Sequence, residues 1–155
     1  MDVDALFDRW ERAWSGRDPA AFEPLCAPQV HYEDPLTPQP LIGPAALGGH
    51  AERLWLAAPD ARVNSTGARL SGGGFACAPC RVIGTHTGPA GRLSPTGRAL
   101  DVHAVVYAEI DDGVLLRVRA FFDVYRASMD LGLLPKPGTA SERALLLLRG
   151  FGLRG

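Results

Sequence analysis

The chain has 155 residues, of which 46% are apolar and 21% charged, with a formal net charge of −1 at neutral pH. That length suits one domain with a real core, and the balance excludes a disordered chain and leaves no electrostatic footprint for nucleic acid or an anionic membrane. With no basic-then-apolar leader, no apolar run long enough to span a bilayer and only three cysteines, a cytoplasmic protein without a disulfide framework is expected.

Residues 2–15 read as an amphipathic helix, with Leu6, Trp10, Ala13 and Trp14 at helical spacing and charged residues between them. "SGRDPAAFEPL" gives a Gly stop and an Asp-Pro start for a short second helix. "QVHYEDP" is a short strand ended by proline, and its alternation puts Tyr32 and Asp34 on one side, His31 and Glu33 on the other. "GPAALGGHAERLWLAAPD" is a third helix, in which His50 shares a face with Leu47 and Leu54 and reads as a core or wall histidine. From residue 61 the runs turn β-rich: "ARVNSTGARL", "FACAPCRVIGTHTG", "GRALDVHAVVYAEI" and "VLLRVRAFFDVY". Helices followed by strands indicate an α+β fold, a curved antiparallel sheet packed on N-terminal helices around a central cavity. Residues 1–137 form the domain. Residues 138–155 form a C-terminal tail with a short helix near Ser141, whose four consecutive leucines need a partner surface.

The last hairpin carries the candidate chemistry. "EIDDGVL" suits a three-residue loop closed by Gly113, which pairs Ile110 with Val114 and sets His103 opposite Phe121; a two-residue turn would slip the register by one and put His103 on the opposite face from Asp123. His103, Val105 and Tyr107 then share a face with Arg119, Phe121 and Asp123, and Val102, Ala104, Val106, Val118, Ala120 and Phe122 make the other. A carboxylate after two phenylalanines, near an imidazole, is equipment for acid–base catalysis or a structural pair at a sheet edge. The first face is taken as the pocket, the second as a surface for helix or dimer packing. A homodimer is expected.

"GTHTG…SPTGR…VHAVVYAEIDDGVLLRVRAFFDVYRASMDLGLLP" resembles the second half of a SnoaL-like polyketide cyclase, of the nuclear transport factor 2-like superfamily that includes ketosteroid isomerases and limonene epoxide hydrolases. The likeness covers about residues 3–135. It implies intramolecular aldol closure of a polyketide ester without metal or cofactor, with Asp123 as general acid/base and His103 assisting. Trp10, Trp14, Tyr32, Asp34, His86, Arg119 and Phe121 are the candidate substrate contacts. "DLG" stands where the family has "QLG" after the catalytic Asp. "VHYEDP" also resembles the isomerase segment whose Asp is the base, which makes Asp34 a rival. The isomerase oxyanion hole is absent, since its Tyr and Asp positions fall on Trp10 and Val105. Isomerisation, epoxide hydrolysis, cycloaddition and simple binding of a hydrophobic small molecule are the alternatives on this scaffold. Cys77 and Cys80 form a CxxC on a strand, where the two point to opposite faces and read as structural. No third ligand accompanies His31 and Glu33 for a metal.

Overall fold

The computed structural model of the protein describes residues 2–150. Helix α1 (Val3–Gly16) starts at Asp2, whose carboxylate accepts the Ala5 N–H at 3.2 Å. It buries Leu6, Trp10, Ala13 and Trp14, the stripe its spacing predicts, and Phe7 beside them. A 3₁₀ helix (Pro19–Leu25) follows, capped by Asp18 and started by Pro19, and leads into strand β1 (Cys26–Glu33). The short β2 (Leu41–Ile42) precedes α2 (Pro44–Ala57), which buries Leu47, His50, Ala51 and Trp55. Strands β3 (Arg62–Ser65), β4 (Leu70–Gly72), β5 (Phe75–Thr85), β6 (Ala99–Asp111) and β7 (Val114–Phe122) complete the sheet.

The strand order is β2-β1-β7-β6-β5-β3, with β4 added on β5. All pairings are antiparallel except β1 with β7, which is parallel. Helix α2 lies so close to the 3₁₀ helix that a Cβ on Gly48 would sit 2.6 Å from the Pro19 carbonyl oxygen. Glycine is what allows that approach.

The β6–β7 hairpin differs from the expected loop. Asp111 pairs with Val114 around a two-residue turn, Asp112-Gly113, with both φ angles positive (43° and 81°). Such a turn matches the twist of the flanking strands. A bulge then shifts the register, so that Glu109 faces Arg117 and Val105 faces Phe121. The turn removes one residue and the bulge restores the parity. His103, Val105 and Tyr107 therefore do share a face with Arg119 and Phe121.

That face is the outer one, which corrects the expected inside and outside. Val105 and Phe121 are 41% and 57% exposed, while Ala104, Val106, Ala108 and Val118 are buried under the helices. Phe122 packs inward against the core. The inner face of the sheet is rich in alanine (Ala76, Ala78, Ala104, Ala108), and the rings of Trp10, Trp14 and Phe22 belong to the same core cluster. Small residues on the sheet make room for large ones on the helices, and each fully buried large side chain is worth roughly 1.5–3 kcal/mol. Where the sequence suggests a cavity, Trp10, Trp14, Phe22 and Tyr32 meet ring to ring at 5.4–6.2 Å.

After β7 come α3 (Val124–Asp130) and α4 (Ala140–Leu148). Helix α4 starts at Thr139, which caps Glu142, and buries none of its residues. Residues 151–155, the end of the expected tail, lie outside the described residues. Among the described residues no helix is long and apolar enough to cross a membrane.

Candidate active site

Strand β1 ends by turning Tyr32 inward, and Asp34 follows on the same side one step beyond the strand. Proline at position 35 stops the strand. The Asp34 backbone N–H donates to Thr37 Oγ1 at 3.0 Å, and its Oδ1 accepts the Leu36 N–H at 2.7 Å. This turn, closed on its own carboxylate, fixes the side chain. Oδ2 accepts the Tyr32 hydroxyl at 2.9 Å and lies 2.7 Å from Nε2 of His50, which reaches down from α2. The carboxylate is 4% exposed and the imidazole 8%. Around them stand Trp14, edge-on to His50 with centroids 6.3 Å apart, and Trp10, tilted against Tyr32 at 6.2 Å.

Burial is the largest single influence on Asp34 and pushes its carboxyl upward. The His50 hydrogen bond and charge, the Leu36 N–H and the Tyr32 hydroxyl together outweigh it, and the carboxyl lies below its ordinary value. Tyr32 moves the other way: burial, then the neighbouring Asp34, hold its phenol well above 10. At neutral pH the centre therefore contains a carboxylate and a neutral phenol. Because an ionised carboxylate only accepts, Nε2 of His50 carries the hydrogen. Nδ1 of His50 is buried and has no partner among the described residues.

The residues expected to act in catalysis lie elsewhere. Asp123 is exposed and caps α3, accepting the Arg126 N–H at 2.8 Å. It lines an open depression of about 350 Å³ on the outer face with Thr66, Pro79, His103, Val105 and Phe121. It is not a carboxylate enclosed by aromatics, because the strand ends at Phe122 and the chain turns into a helix there. Arg119 does not approach Asp123; it lies across the parallel pair from Glu33, at 3.5 Å. Of the expected substrate contacts, Trp10, Trp14, Tyr32 and Asp34 come together, and Arg119 and Phe121 face outward. His86 is buried at the end of β5. Its Nδ1 accepts the Thr96 N–H at 3.2 Å, which leaves the hydrogen on Nε2, a donor without a partner among the described residues.

His50 belongs to the centre, although its helical spacing suggested only a wall residue. The signal that finds it is the pairing of two inward faces, Tyr32/Asp34 on β1 and Leu47/His50/Leu54 on α2. Among the described residues no three His, Cys, Asp or Glu side chains gather as a metal site. Cys77 and Cys80 are free thiols on opposite sides of β5. Burial pushes Cys80 up to about 11 and Cys26 to about 12, so neither is a ready nucleophile.

A model of the SnoaL-like polyketide cyclases matches residues 4–131. The chain belongs to this family. No curated protein matches it. Among solved structures, a provisionally assigned SnoaL-like polyketide cyclase from Jannaschia sp. CCS1 shares the fold with a TM-score of 0.75 at 18% identity, over 86% of this chain and 92% of that one. TsrD from Streptomyces laurentii follows at 0.74 and 20%, over 85% and 96%. A protein with a ketosteroid isomerase-like fold from Catenulispora acidiphila gives 0.72 and 16%, over 82% and 92%. As a SnoaL-like chain it has an enzyme family's scaffold, while identities this low speak for the fold alone.

Proposed function

We propose that this SnoaL-like protein is a cofactor-independent cyclase that closes a ring in a polyketide or similar natural-product intermediate, with Asp34, His50 and Tyr32 as its proton-handling centre. The observation that carries the reading is the buried carboxylate–imidazole contact of 2.7 Å, set among aromatic rings. Proton removal from a carbon flanked by carbonyls needs a positioned base, low water and donors near the developing enolate. The carbanion then adds to a carbonyl carbon in the same molecule: one C–C bond forms, and the new alkoxide takes the proton back. Flat aromatic walls suit a flat polyaromatic substrate. At the exposures found, such a substrate reaches the centre only if side chains move.

A second reading keeps the expected pair, Asp123 and His103, which line one depression with Phe121. Both are tested with a bicyclic aromatic β-keto methyl ester deuterated at its α carbon, by following loss of deuterium. The first reading expects exchange by the wild type, its loss in Asp34→Asn and its retention in Asp123→Asn. The reverse pattern selects the second. Binding of the ester with no exchange favours a carrier, and turnover of a steroid enone or small epoxide instead favours the isomerase or hydrolase alternatives. We also propose a homodimer in the cytoplasm, formed through the outer face where Phe75, Val105 and Phe121 are exposed; a monomer in light scattering rejects it.

A further inference from the structure

Three groups in the centre could take a proton, and their surroundings separate them. Asp34 already accepts three hydrogen bonds, from Leu36 N–H, Tyr32 O–H and His50 Nε2–H. Each of its two oxygens is therefore already engaged. Tyr32 is a donor with its hydroxyl committed to Asp34. Nδ1 of His50 is the one polar atom of the three side chains with no hydrogen bond among the described residues, and in the neutral imidazole with Nε2–H on the carboxylate it holds a lone pair. That nitrogen is buried; buried polar atoms left without a partner are uncommon, and His86 Nε2, outside this centre, is the other histidine nitrogen in that state among the described residues. The titratable groups recorded against His50 are Tyr32, from β1, and Asp34, just after it; Trp14, from α1, is neutral.

We propose that Nδ1 of His50 takes the carbon-bound proton of the substrate, and that Asp34 is a positioning residue that fixes the imidazole tautomer and its direction. This rests on the centre described under the proposed function. The C–H bond breaks with its electron pair left on the substrate as an enolate, and the proton converts His50 to imidazolium with Nε2–H still on Asp34. After the C–C bond forms, Nδ1–H returns the proton to the alkoxide. No electrons are exchanged with any other species.

The test joins a tautomer measurement to deuterium loss from the same ester. In ¹⁵N-histidine-labelled protein at neutral pH, His50 is expected as the Nε2–H form with Nδ1 bare, and Asp34→Asn is expected to lose that preference, since an amide donates to the ring. Both His50→Gln and Asp34→Asn are expected to slow deuterium loss at least about a hundredfold. The acidic limb of the wild-type rate should follow the His50 titration seen by ¹⁵N. If His50→Gln retains exchange within threefold while Asp34→Asn abolishes it, Asp34 is the base and this inference fails, although the centre stands. If neither substitution matters, or the wild type does not exchange the probe, the centre fails and the inference with it. Should His50→Gln not fold by circular dichroism, the wild-type spectrum decides: an Nδ1–H tautomer overturns the proposal.

Discussion

Asp34 with His50, and Asp123 with His103, bring the same two side-chain types together on opposite sides of one sheet. The first pair is enclosed by Trp10, Trp14 and Tyr32, and its carboxylate also accepts the Leu36 N–H and the Tyr32 hydroxyl. The second faces an open depression, and its carboxylate is engaged as a helix cap. What separates them is surroundings and not residue type. In the interior a hydrogen bond fixes a tautomer and a protonation state; on the outer face water competes for the same groups.

The sharpest way to break this comparison is Asp34→Asn against Asp123→Asn. Loss of β-keto ester proton exchange should be about 10²–10⁴-fold in the first and within threefold of wild type in the second, read as initial rates. Acid unfolding comes next. Asp34 has its carboxyl lowered in the folded state, so its stabilisation is present above the unfolded value, about 3.9, and is lost as pH falls through the lower folded value. Wild type and Asp34→Asn should therefore converge in urea stability as the pH falls below the unfolded value, and a constant gap at all pH would contradict it. Tyr32→Phe removes one of the donors that lower Asp34, and should cost about 1–2 kcal/mol at neutral pH and move the acid midpoint upward. Gly48→Ala drives a methyl into the Pro19 carbonyl and should cost about 1–3 kcal/mol, seen as a lower Tm. The smallest effect belongs to the outer pair: Asp123→Ala should lose about 1 kcal/mol of cap energy, and Asp123→Asn, which caps equally well, almost none.

The first three helices and the long strands were legible because caps, prolines and periodicity are local signals, whereas "VLLRVRAFFDVY" read as one strand although it ends at Phe122 and α3 begins at Val124. Asp2, Asp18, Pro19 and Pro44 stand where helices begin. That Tyr32 and Asp34 share one side of the strand was legible from alternation. Which face of β6 and β7 lies inside was not. Alternation separates two faces but does not say which one the helices cover, and an alanine-rich face reads as weakly apolar until the tryptophans it accommodates are placed against it. The shared face of His103 and Phe121 was reached through a turn that the chain does not make, and survives because a bulge restores the parity. Spacing places His50 on the apolar face of α2 and Asp34 on the Tyr32 side of its strand, but that the two side chains meet depends on how α2 crosses β1.

The parallel pairing of β1 with β7 sets an order of events. Glu33 is matched with Arg119, most of the chain away, and Asp34 is the next residue after that match. A strand made early in synthesis must wait, with one edge unpaired, for a strand made near the end. The strand that leads into the Asp34–His50 contact thus gains its β7 neighbour only after most of the chain has been made.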